Sequence, residues 1–416
     1  MTSKRRDFIK KALAIPLLFS ELPNLITPAL LPPGSEVKTQ KLLDLHKEIT
    51  TPVIIKSIEL YKAQGELFVI TTSEEGVRGI TLANFRLPNL ISILQGLIIP
   101  NFIGKDARDI ESLVDEVFIK NSNYKYGGMS FWNCVGHVEI SLFDLLGKIA
   151  RKPVNQLLGK VLRSELPIYI SSLTRDTSAQ VEVDRLKERL EKTGARAVKF
   201  KVGGRMNNSE EMNQRSLKLI PLIRKTLGDD ITLYADANGS YTVKEGIEIG
   251  KRLQDQNVAI FEEPCFFEEY DSNKKVADAL KLKVAGGEQD TSYPRFRWII
   301  ENKGLDILQP DLFYNGGFIR CLRVAQLAAK HGIEIAPHSP KSGPLAAPML
   351  HFTSVIPNLV GFQEVNGFVD PRASFYSPDF NYFGGDVKVP DKPGLGVEYD
   401  ESIWKTAQKI ELKITH

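Results

Sequence analysis

This sequence has few cysteines and little excess of one charge over the other. The chain of 416 residues has three cysteines, Cys134, Cys265 and Cys321, which lie far apart. Such a set does not match a disulfide framework or a zinc cluster, so we expect buried free thiols. The 54 basic and 51 acidic residues leave a net charge of +3, and residues 1–30 alone carry that excess. The remaining chain is near neutral, which gives no indication of nucleic-acid binding.

A long hydrophobic run is also missing. The apolar stretch 12–19 (ALAIPLLF) is shorter than the roughly 20 residues that span a bilayer, so no stable membrane span is expected. It follows 4–10 (KRRDFIK), whose paired arginines, aromatic residue and lysine match a twin-arginine export motif. We predict that residues 1-35 are an export leader with a linker, and that the protein reaches the periplasm. An ordinary basic amphipathic N terminus is the alternative.

Short apolar runs that end in a polar residue recur through the second half of the chain. The intervals between these residues are 23 to 27 long, and amphipathic stretches such as 241–256 and 317–332 lie between them. Strands that alternate with helices predict a parallel sheet, and seven or eight such units predict a (β/α)7β TIM-like barrel. Barrel enzymes build their sites at the carboxyl ends of the strands. The residues at these ends are Asp236, Glu262, Glu288, Asp311, His338 and Glu364.

The chain divides into further regions around this barrel. Residues 53-164 alternate as strands with two hairpin turns and then become helical, which predicts a separate α+β domain. The barrel is predicted over 165-370. The turn-rich stretch 371-416 is expected to return and pack on the N-terminal domain.

Three of the strand ends carry carboxylates in succession: Asp236, Glu262 and Glu288. Neighbouring strands lie about 5 Å apart, so these groups would repel one another unless a cation joins them. Oxygen ligands select a hard cation, which predicts Mg²⁺. The alternative is that each carboxylate pairs with a lysine. Asn238 shares the side of Asp236 and is a candidate for the metal shell or the substrate, whereas Glu263 should point away.

Two lysines and a histidine are candidates for acid–base chemistry. Lys199 and Lys201 share one face of an apolar strand, and we expect each to lower the pKa of the other. His338 and Asp311 end adjacent strands, and a carboxylate behind an imidazole selects its tautomer and raises its basicity. The lysine and the histidine would flank a metal-bound acid. One would remove its α proton to give an enediolate, and the other would return a proton or protonate a leaving hydroxyl.

Taken together, these motifs resemble the enolase superfamily, and within it the mandelate racemase subgroup. The resemblance covers about 53–405 and rests on 199–201 (KFK), 236–239 (DANG), 261–264 (FEEP), 287–288 (GE), 309–311 (QPD), 337–339 (PHS), 137–159 and 393–396. It implies that the α+β domain caps the barrel and that the protein assembles as dimers or octamers.

The resemblance also implies a role for each site residue. It places Mg²⁺ on the three successive carboxylates. It makes Lys201 one acid–base group and His338 with Asp311 the other, and it makes Lys199 an electrostatic helper that binds the substrate.

Two departures from the family pattern stand out. The family has a glutamate on the last strand that binds the substrate carboxylate. Counting from Pro357 this position falls on Gln363, and a one-residue insertion makes it Glu364, which we predict. The long lid loop of the first hairpin is missing from 58–69. We therefore expect a site that is more open, or one that another subunit or the loop 81–89 closes.

The predicted function is dehydration of an acid sugar, from an aldonate or aldarate to a 2-keto-3-deoxy acid. Its partner is a small carboxylate substrate. Racemisation or epimerisation of an α-hydroxy acid is the first alternative. Cycloisomerisation is less favoured, because that branch of the superfamily generally carries a lysine in the region of His338. An exported protein that binds sugar acids without turnover is a further alternative.

Overall fold

The computed structural model describes residues 41–366, 373–380, 382 and 384–411. The predicted export leader, 1-35, lies outside these residues, as do residues 367–372 at and beyond the predicted end of the barrel. Within the described ranges, no helix is both long enough and apolar enough to cross a membrane. The three cysteines are free and buried, as expected.

The N-terminal part of the described chain forms an antiparallel sheet and a helical layer. The strands are β1 (Ile55–Ala63), β2 (Glu66–Ser73) and β3 (Arg78–Leu82), and the helices are α1 (Leu45–Glu48), α2 (Ile91–Ile93), α3 (Ile110–Ile119), α4 (Met129–Ala150) and α5 (Val154–Leu158). Only Gln64 and Gly65 separate β1 from β2, and both have positive φ, as a type I′ turn requires. The first hairpin therefore contains no lid loop.

Eight parallel strands follow, with seven helices between them. The strands are β4 (Glu165–Ser171), β5 (Ala197–Lys201), β6 (Thr232–Asp236), β7 (Ile260–Glu262), β8 (Lys283–Gly286), β9 (Ile307–Leu308), β10 (Glu334–Ile335) and β11 (Gln363–Val365). The helices are α6 (Ala179–Thr193), α7 (Glu210–Leu227), α8 (Val243–Asp255), α9 (Tyr270–Ala279), α10 (Tyr293–Glu301), α11 (Phe318–Lys330) and α12 (Ala347–Val355).

The eight strands close into a ring. They pair in chain order from β4 to β10, and β11 pairs with β4. Ile335 of β10 forms a parallel bridge with Leu359, just before β11, through hydrogen bonds with the backbone of Asn358 and Val360. This architecture confirms the predicted (β/α)7β barrel with an N-terminal α+β domain.

The barrel helices begin at polar N-cap residues that the sequence supplies. Ser178, Ser209, Thr242 and Ser292 each accept a hydrogen bond from a backbone N–H at the start of the helix that follows. Thr242 and Glu245 form a reciprocal capping box. These caps limit the length of the strand-to-helix loops, which are the segments that carry the site.

Helix α4 fastens the N-terminal domain to the barrel through a buried carboxylate. Glu139 accepts hydrogen bonds from the backbone N–H groups of Phe318 and Ile319, at the N terminus of α11. A helix N terminus favours a negative charge because its first N–H groups lack partners. Gly317 has a φ of 102°, and a Cβ atom there would lie 1.7 Å from a Glu139 carboxylate oxygen, so only glycine fits.

The C-terminal elements extend both sheets. They are β12 (Tyr376–Ser377), β13 (Asp386–Lys388), β14 (Glu398–Tyr399), α13 (Ser402–Lys405) and β15 (Gln408–Ile410). Strand β13 pairs antiparallel with β4, and β14 pairs with β12. Strand β15 pairs antiparallel with β1, so the end of the described chain adds an edge strand to the N-terminal sheet.

Candidate active site

The ends of β5, β6 and β7 bring four charged side chains together inside the barrel. Lys201 lies opposite Asp236 in the register of the sheet, and Asp236 lies opposite Glu262. Lys199, Lys201, Asp236 and Glu262 are all buried. Glu288 follows β8 by two residues and is 7% exposed. The strand-end residues predicted from the spacing therefore meet at one mouth of the barrel.

Each lysine pairs with a different carboxylate. Lys199 Nζ donates to both oxygens of Glu262 at 2.9 Å. It also lies 2.8 Å from Glu364 Oε1 as an ion pair that lacks hydrogen-bond geometry. Lys201 forms an ion pair with Asp236. Lysine pairing, the alternative to metal binding, is thus present at two of the three carboxylates.

The expectation of a lowered lysine pKa is wrong for Lys199. Burial by itself lowers the pKa of this ammonium, but the charges of Glu262 and Glu364 outweigh burial and raise the pKa well above its ordinary value. The sequence places the two lysines on one face of β5, but it does not show that carboxylates from β7 and β11 surround Lys199. The surrounding carboxylates therefore favour the charged form of Lys199.

The pKa values of the three strand-end carboxylates indicate which of them lack a compensating positive charge. Burial raises the pKa of Glu262, and the neighbouring charge of Asp236 raises it further. Burial also raises the pKa of Glu288 to about 8, although the charge of His338 opposes this shift. Asp236 differs, because Lys201 outweighs burial and holds its pKa below the usual range. Oxygen donors that are buried and short of positive charge fit a hard divalent cation.

The side chains do not yet converge on a single point. No three His, Cys, Asp or Glu side chains of the described residues are gathered closely enough to hold a metal ion as they stand. The ion pairs explain this separation: Lys201 holds Asp236, Lys199 holds Glu262, and His338 Nε2 lies 3.3 Å from Glu288 Oε2. A divalent cation would have to replace these contacts. The donor chemistry fits Mg²⁺, and the fit requires side-chain rotation.

His338 and Asp311 form the predicted pair. His338 Nδ1 lies 2.8 Å from Asp311 Oδ2, which places the proton on Nδ1 and directs Nε2 toward the carboxylates. The backbone N–H groups of Phe313 and Tyr314 donate to Asp311 Oδ1 at 2.8 and 3.2 Å and orient its carboxylate. Burial lowers the pKa of His338, but Glu288 and Asp311 together raise it above its ordinary value.

Two residues of the site were missed by sequence reasoning. Lys341 Nζ contacts the same Asp311 oxygen as His338, at 2.6 Å. Arg175 Nη2 donates to Asn238 Oδ1 at 2.7 Å. Both residues lie in irregular loops, after β10 and after β4, so no strand or helix period marks them. In the sequence, the only sign that either residue belongs to the site is a positive charge shortly after a predicted strand.

Glu263 is oriented differently from the expectation. We placed its side chain away from the site by strand alternation, but its Oε2 lies 3.5 Å from Asn238 Nδ2. Strand β7 ends at Glu262, and Glu263 has a φ of 42°, so alternation no longer applies. Burial raises the pKa of Glu263 to about 8. The residue is a buried acid beside the site.

Glu364, rather than Gln363, faces the interior of the barrel. Glu364 lies against Lys199 and accepts a hydrogen bond from the Ser339 backbone N–H at 2.8 Å. The Gln363 side chain donates instead to the backbone oxygen of Glu364. This placement agrees with the one-residue shift that we predicted.

A cavity of about 730 Å³ adjoins His338 and Lys341. The tip of the β1–β2 hairpin lines it, together with Ala83, Asn84, Phe85 and Pro88 of the loop 81–89. His137 of α4 supports this loop, because its Nε2 accepts the Asn84 backbone N–H at 3.1 Å. The loop 81–89 therefore borders the cavity beside His338, and closure of the site by this loop stays a prediction.

Known proteins resemble this chain in sequence. A family model described as Enolase C-terminal domain-like matches residues 182–403. An arabinonate dehydratase of Saccharolobus solfataricus is 27% identical over 315 residues, 75% of this chain and 82% of that protein. A D-galactarolactone cycloisomerase of Agrobacterium fabrum is 31% identical over 309 residues, 71% of this chain and 79% of that protein.

Solved structures also resemble the fold of this chain. A mandelate racemase/muconate lactonizing protein from Paracoccus denitrificans, in complex with magnesium, is 26% identical with a TM-score of 0.80. The match covers 86% of this chain and 99% of that one. The similarity spans both the α+β domain and the barrel.

Proposed function

This chain belongs to the enolase superfamily, and from that premise we propose that it is an Mg²⁺-dependent acid-sugar dehydratase. Its substrate would be an aldonate or aldarate, and its product a 2-keto-3-deoxy acid. The similarity to an arabinonate dehydratase supports sugar-acid chemistry. One geometric observation carries the proposal. Lys201 contacts Asp236 and His338 contacts Glu288, so a base and an acid stand at the two ends of the row of carboxylates.

Asp236, Glu262 and Glu288 would hold the metal ion. A magnesium ion bound there would supply Lewis acidity, which makes the C–H bond next to the substrate carboxylate more acidic. The solved relative in complex with magnesium agrees with this choice of ion. A divalent cation on Asp236 would also loosen the ion pair that Lys201 forms with this carboxylate.

The reaction is a proton removal followed by loss of water. Lys201 Nζ takes the proton from the carbon next to the carboxylate. The C–O bond at the adjacent carbon then breaks, and the leaving hydroxyl takes a proton from His338 Nε2 and departs as water. The resulting enol becomes the 2-keto acid. Positioned acid–base groups of this kind typically contribute about 10²- to 10⁴-fold to the rate.

The remaining residues hold charge and orientation. Lys199 is kept cationic by Glu262 and Glu364, and would stabilise the negative charge that develops on the substrate carboxylate. Asp311 orients His338 through Nδ1 and stabilises its imidazolium form, in which Nε2 carries the proton that the leaving hydroxyl takes. Asn238, which lies 3.3 Å from Lys201 Nζ, would contact a substrate hydroxyl.

Cycloisomerisation of an acid-sugar lactone is the second candidate. The relative at 31% identity is a D-galactarolactone cycloisomerase, and the same proton removal would begin that reaction. His338 favours dehydration, because it supplies an acid on the flank opposite the base. We further propose that the protein acts outside the cytoplasm, and the motif at 4–10 supports this location.

A library of acid sugars and their lactones tests the proposal. The purified protein is incubated with Mg²⁺ and each compound, and 2-keto acids are detected as semicarbazones. Dehydration is supported by a keto acid that forms only with Mg²⁺. Exchange of deuterium from D₂O into recovered substrate without keto acid would show racemisation or epimerisation. Binding of an acid sugar without exchange or product would indicate a binding protein that lacks catalytic activity. Consumption of lactones alone would support cycloisomerisation.

A further inference from the structure

Arg175 is a cation of the barrel mouth to which the proposed reaction gives no role. It lies in the loop between β4 and α6 and is half-buried. Its Nη2 donates to Asn238 Oδ1 at 2.7 Å and, more weakly, to the backbone oxygen of Asp236 at 3.4 Å. Both acceptors are neutral amide oxygens.

Arg175 also differs from the other cations of the site, because none of the described residues gives it an acidic partner. Lys199, Lys201 and Lys341 each form an ion pair with a carboxylate. In the part of the chain that the structure describes, no carboxylate lies within 4.0 Å of the Arg175 guanidinium, and its buried Nε has no hydrogen-bond partner. A guanidinium has five N–H donors, so several remain for a ligand.

Charged side chains of both signs act on Arg175: Asp236 has the larger effect, and the guanidinium groups of Arg205 and Arg215 oppose it. Arg215 Nη2 is likewise buried without a partner. An anion at this position would satisfy open donors and offset the repulsion between the arginines.

Arg175 is close enough to the proposed base to share its substrate. Lys201 Nζ and Arg175 Nη2 contact the same Asn238 oxygen, at 3.3 and 2.7 Å, so they lie no more than 6.0 Å apart. A molecule whose reacting carbon contacts Lys201 therefore extends to Arg175 within a few bonds. The planar fork of arginine matches the two oxygens of a carboxylate.

We infer that Arg175 binds a second carboxylate of the substrate, which is therefore a hydroxy diacid (an aldarate) rather than a monoacid. This inference rests on the proposed function and narrows it. A substrate that ends in a hydroxyl would leave the guanidinium without a counter-charge, and a site built for a charged group rejects an analogue that lacks it.

Turnover of matched diacids and monoacids tests the inference. The pairs are galactarate with galactonate and glucarate with gluconate, assayed at saturating Mg²⁺. Wild-type kcat/KM is expected to favour the diacid by roughly 100-fold, as loss of a buried ionic contact typically costs. Arg175→Gln should remove this preference by lowering kcat/KM for the diacid far more than for the monoacid, and Arg175→Lys should fall between. The matched control is Arg196→Gln. Arg196 is exposed, lies just before β5 and forms an ion pair with Asp386.

A binding measurement separates this inference from the proposed function. Adipate and hexanoate, which do not react, are titrated calorimetrically into wild type and Arg175→Gln with Mg²⁺ present. Tighter binding of adipate to wild type, lost in the variant, supports the diacid site even if no acid sugar is dehydrated. Wild type that dehydrates aldonates faster than aldarates overturns the inference and leaves the proposed function intact. Equal losses on both substrates in Arg175→Gln also overturn it, because Arg175 would then act only by positioning Asn238.

Discussion

His338 joins two carboxylates that the chain separates by 23 residues, since its Nδ1 lies 2.8 Å from Asp311 and its Nε2 lies 3.3 Å from Glu288. One ring nitrogen therefore faces an orienting carboxylate and the other faces a proposed metal ligand. Residues from β8, β9 and β10 meet here because neighbouring strands of the barrel end at the same mouth. A single imidazole thus links Asp311 to the row of carboxylates.

Replacing each proposed acid–base residue should affect a different step. Lys201→Ala should abolish both deuterium exchange at the α carbon and keto-acid formation, because no base remains. His338→Asn should reduce keto-acid formation by about 10²- to 10⁴-fold and retain exchange. Proton NMR in D₂O follows both signals. Lys283→Ala, an exposed lysine at the opposite end of the barrel, should behave as wild type, and full turnover by either site variant would contradict the mechanism.

Asp311→Asn should slow the reaction without preventing substrate binding. The neutral amide no longer stabilises the imidazolium whose Nε2 proton the leaving hydroxyl takes, and it orients the ring less firmly through Nδ1. Loss of such an orienting partner typically costs about 10- to 100-fold, here in kcat with KM nearly unchanged. Steady-state kinetics separate the two constants. Asp386→Asn, near the start of β4, serves as the control, and an equal loss in both variants would show that orientation of His338 is not the cause.

Glu288→Gln should weaken Mg²⁺ binding. Thermal melts in rising Mg²⁺ measure this effect, because an ion at 100 times its Kd stabilises the folded state by about 2.7 kcal/mol. The wild type should gain stability and the variant should gain little. Without Mg²⁺ the variant should remain folded, since burial already raises the pKa of Glu288 to about 8 and a neutral amide suits that position. Glu301→Gln, exposed at the end of α10, is the control; an Mg²⁺ response in Glu288→Gln equal to wild type would remove Glu288 from the ligand set.

Glu139→Ala should destabilise the junction between the N-terminal domain and the barrel. The change removes the carboxylate that caps α11 and leaves the buried N–H groups of Phe318 and Ile319 without a partner. We expect a loss of roughly 2–4 kcal/mol in the free energy of unfolding. Urea titration measures it against Glu116→Ala, an exposed glutamate on α3. Similar midpoints for the two variants would show that the cap contributes little.

Protonation of His137 should destabilise the fold in mild acid. Burial lowers its pKa from 6.5 to about 4, so the unfolded chain binds this proton more tightly than the folded protein does. Its contribution to stability is complete above pH 6.5 and is lost as the pH falls toward 4, by roughly 3 kcal/mol at about 1.4 kcal/mol per pKa unit. Urea unfolding from pH 4.5 to 7.5 should show a shallower dependence in His137→Gln than in wild type. The exposed His331→Gln should keep the wild-type dependence, and parallel curves for all three proteins would refute the assignment.

Much of this protein follows from residue order alone. A strand period of 23 to 27 residues leaves room for one loop and one helix, and amphipathic stretches lie between the strands, so the barrel could be predicted. The same period places one polar residue at each strand end. Three successive carboxylates then indicate a cation, because their mutual repulsion needs a counter-charge whatever the details of the fold.

Other features exist only once distant segments are in contact. The pKa of Lys199 is raised rather than lowered because β7 and β11 supply carboxylates on either side of it. Glu263 turns toward Asn238 because β7 stops one residue earlier. Lys341 and Arg175 reach the site from irregular loops, which carry no period to place them. Local spacing specifies which residues end a strand, whereas the charges that surround each one depend on strands and loops far away in the chain.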